Sequence, residues 1–245
     1  MIKVCGLRDS QNIREIACLG VDWIGMIFWP RSKRYVSAPP AEIPDNVRRV
    51  GVFVDASIEE VKQHISDYRL DFVQLHGQES PAYVRALKPF PVIKAFNIAT
   101  PDDLLQTEAY EGLADYFLFD TKGKAVGGNG KKFDWTVLNY YQGHTPFLLS
   151  GGIGPEDAAS VKAFHHPKCI GIDLNSRFET EPALKDITKV KLFLEQLNTL
   201  RIIRSINFSS REKIRNCCRS ISVPDARHSK PRARSSRRCS VVVLP

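Results

Sequence analysis

Cys5 and Asp120 have the side-chain chemistry of a base and an acid, and each ends a short apolar run. Cys5 stands in IKVCG, and Asp120 ends YFLFD, where Tyr116, Leu118 and Asp120 share one side of a strand. A thiolate can accept a proton and a carboxylic acid can donate one, so the two residues could perform general acid–base catalysis. Each also has a structural interpretation, Cys5 as a small buried side chain and Asp120 as a cap or loop carboxylate. The glycine after Cys5, which lets a ligand approach, favours the catalytic interpretation.

Two glycine-rich segments could bind an anion. One lies at Gly127–Gly130 in TKGKAVGGNGKKFDW, and the other is SGGIGP at Ser150–Pro155. Glycine lets backbone N–H groups surround an anion, and the helix that follows adds its N-terminal dipole. A flexible surface loop has the same composition, but two such segments in succession favour phosphate binding. The predicted phosphate residues are Gly128, Gly130, Gly151 and Gly152.

Other polar residues follow the apolar runs. In FWPRSKRY, Phe28–Tyr35, an arginine could meet a carboxylate in bidentate geometry, although Arg31 and Lys33 fit a solvated basic loop equally well. Asp173 ends CIGID and has the same two interpretations as Asp120. His76 is interpreted as a hydrogen-bonded histidine at a strand end rather than as a base. Neither C-x-x-C nor H-E-x-x-H occurs, so no metal site is predicted.

These residues must be positioned by an alternation of strands and helices. The first 200 residues alternate β-branched or aromatic runs with amphipathic stretches, which predicts a single-domain (β/α)8 TIM barrel over residues 1–200. A doubly wound open sheet would also alternate, but no G-x-G-x-x-G follows the first strand. The glycine-rich segments follow strands six and seven, where such barrels commonly hold phosphate. Helix starts are predicted at Ser10, Ser57, Ser80, Thr100 and Pro155. The predicted strands are Ile2–Gly6, Trp23–Phe28, Arg49–Val54, Phe72–His76, Val92–Asn97, Tyr116–Asp120, Phe147–Ser150 and Ile170–Leu174.

The segment 201–245 differs in kind from the barrel sequence. Of the 35 basic and 27 acidic residues of the chain, 12 basic and two acidic ones lie in it, so it carries the whole of the net positive charge. Its composition cannot bury a core and predicts a basic tail of low order. Six cysteines are too few for a disulfide scaffold at this length. No apolar run approaches the about 20 residues of a membrane span, so a cytoplasmic protein without a membrane partner is predicted.

The sequence resembles the phosphoribosylanthranilate isomerase family of tryptophan biosynthesis. The blocks that carry the resemblance are ordered along nearly all of the first 200 residues. They are KVCGL at Lys3–Leu7, GMIFWPRSKRYV at Gly25–Val36, VGVFVD at Val50–Asp55, VQLHG at Val73–Gly77, FDT at Phe119–Thr121, GGNGKKFDW at Gly127–Trp135, LSGGI at Leu149–Ile153 and GIDLNSRFE at Gly171–Glu179.

The resemblance implies an Amadori rearrangement of N-(5-phosphoribosyl)anthranilate, a small phosphosugar, without cofactor or metal. It implies that Asp120 is the acid that protonates the ring oxygen and that Cys5 is the base that removes the C2 proton. It further implies that Arg34 contacts the anthranilate. Lys3 or the positive field of the site is expected to help Cys5 toward the thiolate, since a free thiol has a pKa of about 8.5. The other predicted substrate-binding residues are Asp173, Asn175 and Ser176.

The sequence departs from the family pattern at one point that matters for phosphate. Many members of the family read S-S-G-V-E where this chain has NSRFE, Asn175–Glu179. Arg177 therefore stands where the family has a phosphate-loop glycine. We expect either rearranged backbone contacts near Ser176 or a contact between Arg177 and phosphate. The sequence leaves a monomer and a homodimer open.

Two other functions compete with this interpretation. A barrel isomerase of histidine biosynthesis would have an aspartate where Cys5 stands, and its two halves would repeat, whereas here the glycine-rich segments occur only in the second half. A nucleic-acid-binding protein would use the arginine-rich tail to neutralise phosphates, with an affinity that falls steeply with salt. Because the tail has no interleaved aromatic residues beyond Phe208, nucleic acid is predicted as a secondary partner of the tail at most.

Overall fold

The predicted barrel is present in a computed structural model of the chain, which describes residues 1–39, 43–121 and 134–198. Eight parallel strands of this part close into a ring in chain order, with β1 hydrogen-bonded to both β2 and β8. Each predicted strand is confirmed, and its bounds differ from the prediction by no more than one residue. The strands are β1 Ile2–Cys5, β2 Trp23–Ile27, β3 Arg48–Phe53, β4 Phe72–Leu75, β5 Val92–Ile98, β6 Tyr116–Thr121, β7 Phe147–Leu149 and β8 Cys169–Leu174.

The connections are less α-helical than predicted. The α-helices are α1 Ser10–Ala17, α2 Ile58–Tyr68, α3 Pro81–Ala86, α4 Ala158–Ala163 and α5 at 187–198. A 3₁₀ segment, Pro101–Tyr110, follows β5, and another, Trp135–Tyr140, precedes β7. In the first of these, Gln106 Nε2 donates to the Asp103 carbonyl at 2.6 Å and Thr107 Oγ1 donates to the Leu104 carbonyl at 2.7 Å. Both side chains therefore bond to carbonyls three residues earlier in the same segment.

The helix starts are largely as predicted, with one correction. Ser57 caps α2 by accepting from the Glu60 N–H, and Ser80 caps α3 by accepting from the Tyr83 N–H. At α1 the cap is Asp9 rather than Ser10, because the Asp9 carboxylate accepts from the N–H of Asn12 and Ser10 is the first helical residue.

The barrel interior is apolar where the strands begin and polar where they end. The rings of Trp23 and Phe72 stack at 4.4 Å, and Tyr116 lies 5.4 Å from Trp23. Since β2, β4 and β6 are not neighbours, these rings meet across the interior and close that end. Buried polar side chains, Lys3 and Asp173 among them, replace the rings farther along the strands. The open end, which we call the mouth, is therefore where the C-terminal ends of the strands meet.

Some of the sequence predictions fall on residues outside the described ranges. Gly128 and Gly130 lie outside the described residues, and so does the tail at 201–245. In the described ranges, no helix is long and apolar enough to cross a membrane.

Candidate active site

Cys5 lies at the mouth, where β1 ends, and its side chain is buried. It pairs in register with Gly25 of β2, and a Cβ on Gly25 would lie 2.6 Å from the Cys5 Sγ. Glycine at this position therefore provides the space that the thiol occupies. Burial raises the pKa of Cys5, and attraction to Lys3 and Lys185 opposes this rise only in part. The predicted assistance from Lys3 is present, but burial outweighs it.

Lys3 and Asp173 form a buried ion pair one layer below Cys5. The Lys3 Nζ lies 2.9 Å from the Asp173 Oδ1, and the two side chains are 0% and 6% exposed. Burial alone would lower the pKa of Lys3, but attraction to Asp173 and Cys5 raises it. Burial raises the pKa of Asp173 against the attraction of Lys3. Asp173, predicted to bind substrate, is therefore engaged by its Oδ1 with the buried Lys3 ammonium. Its Oδ2 lies 3.4 Å from the Ser150 hydroxyl.

Asp120 lies on the other side of the mouth from Cys5, since β7 and β8 separate β6 from β1. Its Oδ1 accepts from the Thr121 N–H at 2.7 Å, which fixes the carboxyl group. Its Oδ2 lies 3.4 Å from the His76 Nε2. Gly151 packs against it with a φ of +84°, and a Cβ there would lie 2.6 Å from the Thr121 nitrogen. Only glycine satisfies both the backbone angle and the close approach.

His76 is oriented toward Asp120 by Gln74. The Gln74 Nε2 lies 3.1 Å from the His76 Nδ1. This contact fixes the ring so that Nε2 faces Asp120. The prediction of a hydrogen-bonded strand-end histidine is therefore correct for Nδ1 only. The Nε2 atom is buried and has no hydrogen-bond partner in the part of the chain that the structure describes.

Arg34 is held by a short hairpin that sequence reasoning missed. The hairpin consists of β9 Glu179–Glu181 and β10 Leu184–Lys185. Glu179 accepts from the Arg34 Nε at 2.8 Å and from Nη2 at 2.6 Å. The buried Lys185 Nζ donates to Glu179 and, at 2.9 Å, to the Oδ1 of Asn175. This arrangement fixes Arg34 and Asn175, both predicted to bind substrate, at the mouth beside β1.

Glu179 joins two cations, and its own charge is stabilised by them. Burial alone would raise the pKa of Glu179, but the hydrogen bonds from Arg34 and the attraction of Lys185 lower it. Burial lowers the pKa of Lys185 despite the attraction of Glu179. No local motif predicts this cluster, because Arg34 and Glu179 are 145 residues apart in the chain.

The glycine-rich segment after β7 forms a tight loop at the mouth. Gly151 and Gly152 both have positive φ, +84° and +70°. The N–H of Gly154 donates to the Asp157 carboxylate at 2.8 Å and is therefore occupied. Arg177 lies over the same loop, since its Nε would be 2.7 Å from a Cβ on Gly154.

Ser176 and Arg177 belong to a 3₁₀ turn, Ser176–Phe178, that follows β8. Arg177 forms an ion pair with Glu156 of the neighbouring loop, and both side chains are substantially exposed. Of the two outcomes expected for Arg177, this placement favours a cation next to the loop predicted to bind phosphate. In residues 1–39, 43–121 and 134–198, no group of three His, Cys, Asp or Glu side chains could hold a metal ion.

Comparison with known proteins gives one family for nearly the whole barrel. A profile described as N-(5'phosphoribosyl)anthranilate (PRA) isomerase matches residues 2–196. An N-(5'-phosphoribosyl)anthranilate isomerase of Parabacteroides distasonis is 52% identical over 205 residues, which cover 80% of this chain and 93% of that protein.

Solved structures give the same result. A phosphoribosyl anthranilate isomerase in complex with reduced 1-(o-carboxyphenylamino)-1-deoxyribulose 5-phosphate has a TM-score of 0.68 and 29% identity, over 81% of this chain and 98% of its own. A structure of monomers generated from the dimeric enzyme of Thermotoga maritima has a TM-score of 0.66 and 27% identity, with the same coverage. The predicted (β/α)8 barrel and the predicted family are both confirmed.

Proposed function

We propose that Asp120 and Cys5 are the acid and the base of an Amadori rearrangement. The chain belongs to the N-(5'-phosphoribosyl)anthranilate isomerase family, which catalyses this reaction. The reaction converts N-(5'-phosphoribosyl)anthranilate into 1-(2-carboxyphenylamino)-1-deoxyribulose 5-phosphate in tryptophan biosynthesis. The observation that carries the assignment is the placement of the two groups. Both are buried at the mouth, on opposite sides, and the loop of Gly151 and Gly152 lies between them around the ring.

In the first step Asp120 donates a proton to the oxygen of the furanose ring. The bond between C1 and this oxygen breaks, its electron pair stays on the oxygen, and the nitrogen lone pair forms the C1–N double bond of a Schiff base. The contacts of the Asp120 carboxyl group support this role. The Thr121 N–H fixes one of its oxygens, and the other oxygen is directed toward His76. We therefore assign the proton transfer to Oδ2.

In the second step the Cys5 thiolate removes the proton from C2. The electron pair of that bond forms the C1–C2 double bond, and the Schiff-base nitrogen becomes neutral. Protonation at C1 with loss of the hydroxyl proton on C2 then gives the ketose. Since burial raises the pKa of Cys5, the nearby cations Lys3 and Lys185 are what make its thiolate accessible.

The remaining predicted residues are proposed to hold the two ends of the substrate. Arg34 contacts the anthranilate, while its Nε and Nη2 donate to Glu179 and hold the guanidinium in place. Asp173, Asn175 and Ser176 line the same side, next to β1. The phosphate is bound by the backbone of four glycines, Gly128, Gly130, Gly151 and Gly152.

Two variants test the acid and the base separately. Asp120→Asn keeps the shape of the side chain but cannot donate a proton, so kcat should fall by the ~10²–10⁴ that general acid–base steps typically contribute. Cys5→Ser should cost a similar factor, because a serine hydroxyl is far less acidic. The assay is the loss of phosphoribosylanthranilate fluorescence on addition of the purified protein.

Cys18→Ser is the matched control, since Cys18 is a free and exposed cysteine. It should retain full activity. Full activity of Cys5→Ser would remove Cys5 as the base, and full activity of Asp120→Asn would remove Asp120 as the acid. KM should change little in either variant, because neither residue is assigned to phosphate or anthranilate.

Compartment, assembly and the tail complete the proposal. A cytoplasmic location is supported by the need of the reaction for a reduced Cys5. Either a monomer or a homodimer is compatible with the site, because the groups assigned above come from one chain. Sedimentation of the purified protein distinguishes the two states. Any nucleic-acid contact is assigned to the tail and should be lost on truncation after Leu200.

A further inference from the structure

Asn97 has a buried side-chain oxygen at the mouth, at the end of β5. Its Oδ1 has no hydrogen-bond partner in the ranges that the structure describes. Asn97 lies on β5 in register with Asp120 on β6, so the two residues are neighbours on adjacent strands. On β5, Ile93 and Ala95 belong to the interior cluster, and alternation places Asn97 on the same inner face. Asn97 therefore stands beside the proposed acid.

The atoms around Asp120 differ in what they offer to a ligand. His76 Nε2 lies 3.4 Å from the carboxyl group. Asn97 lies on β5, between β4 and β6, and its Oδ1 can only accept. A buried acceptor without a donor is unfavourable in the free protein, and such groups are rare in folded proteins. Asn97 Oδ1 stands beside Asp120, the group proposed to protonate the substrate. The hydrogen bond that Oδ1 lacks can therefore be donated by the substrate.

We propose that Asn97 Oδ1 accepts a hydrogen bond from the C4 hydroxyl of the substrate at the moment when the ring opens. This inference rests on the proposed function and goes beyond it by assigning a further residue to the reaction. In the closed furanose, the ring oxygen has no hydrogen and cannot donate. When Asp120 protonates it and the bond to C1 breaks, the same oxygen becomes a hydroxyl on C4, and its hydrogen is the proton that Asp120 gave.

The hydrogen bond to Asn97 would also oppose the reverse reaction. Ring closure requires that the Asp120 carboxylate take the proton back from the C4 hydroxyl. While the hydroxyl donates to Asn97, its hydrogen is directed away from Asp120. The open Schiff base then persists long enough for Cys5 to remove the C2 proton. An interaction that exists only after ring opening stabilises the transition state and the open-chain species more than the bound substrate.

The variant Asn97→Leu tests this role, since leucine is similar in shape and has no acceptor. We expect kcat to fall by about tenfold, the effect typical of one neutral hydrogen bond, with KM nearly unchanged. Affinity for the reduced open-chain product analogue, measured by titration without turnover, should fall by a similar factor. Competitive inhibition by inorganic phosphate should not change. The midpoint of thermal unfolding should stay the same or rise, because a buried atom without a partner has been removed.

Thr107→Val is the matched control, because Thr107 is also buried but its hydroxyl donates to the Leu104 carbonyl. It should lower thermal stability and leave kcat unchanged. Unchanged kcat and unchanged analogue affinity in Asn97→Leu would overturn the proposal. A fall in kcat together with a lower unfolding midpoint and weaker phosphate inhibition would also overturn it, since that combination indicates general damage. Absence of turnover by the unmodified protein would instead refute the proposed function.

Discussion

Replacing Lys3 by methionine should destabilise the barrel strongly, because it leaves the carboxylate of Asp173 alone in the interior. The two groups are 2.9 Å apart and almost inaccessible to water. Removing one partner of such a pair typically costs ~3–5 kcal/mol of unfolding free energy. In a domain of this size, 1 kcal/mol corresponds to about 2–4 °C, so the thermal midpoint should fall by roughly 6–20 °C. Circular dichroism during heating measures the midpoint, and urea unfolding gives the free energy.

The pH dependence of this loss identifies its cause. Burial raises the pKa of Asp173, and without Lys3 nothing in the pair opposes that rise. A group whose pKa is raised on folding contributes most stability at low pH and loses that contribution as the pH rises through its folded pKa. The deficit of Lys3→Met should therefore be largest at neutral pH and shrink as the pH is lowered, because protonated Asp173 needs no cation.

A second substitution serves as the control. Lys3→Met combined with Asp173→Leu removes both charges and should recover most of the lost stability. A loss of less than about 1 kcal/mol in the single variant, a typical value for an arbitrary substitution, would show that the pair contributes little. A double variant less stable than the single one would show the same.

Three further predictions concern the mouth. Gly152→Asp should raise KM and weaken competitive inhibition by inorganic phosphate, because the residue has a φ of +70° in the proposed phosphate loop and a carboxylate there repels the ligand; an unchanged KM would remove the loop from the site. Gly25→Ala should lower kcat in steady-state assays, since the new methyl group would lie 2.6 Å from the Cys5 Sγ and must displace the thiol. Because burial raises the pKa of Cys5, kcat/KM should still increase with pH above the ordinary thiol value of about 8.5; a plateau reached at neutral pH contradicts this assignment.

The strands and the placement of Cys5 and Asp120 could be predicted because they depend on local pattern and topology. Each strand has the composition of a buried segment, and a closed parallel barrel brings all its strand ends to one mouth. The helices were less predictable. Pro101–Tyr110 is a 3₁₀ segment, and over so few turns the apolar period of 3.0 is hard to distinguish from that of 3.6 in the sequence.

The interactions around the site could not be predicted, because they join the two ends of the barrel sequence. Lys3 and Asp173 are 170 residues apart, and Asn12 meets Lys185 across 173 residues. Neither pair has a spacing that a local motif could reveal. The same holds for the buried Oδ1 of Asn97, because its lack of a donor among the described residues is visible only once its neighbours are known.

The pairing of Asn12 with Lys185 has a consequence for biosynthesis. The Asn12 side chain exchanges two hydrogen bonds with the backbone of Lys185, at 2.9 and 2.8 Å, and so attaches the last hairpin to the first helix. A ribosome makes Cys5 early, but the cation that faces it and the carboxylate that holds Arg34 are made late. Contacts of such long range form slowly during folding. A nascent chain that has not yet produced Lys185 thus contains the base of the reaction without its surroundings, and catalytic competence should appear only when the ring is complete.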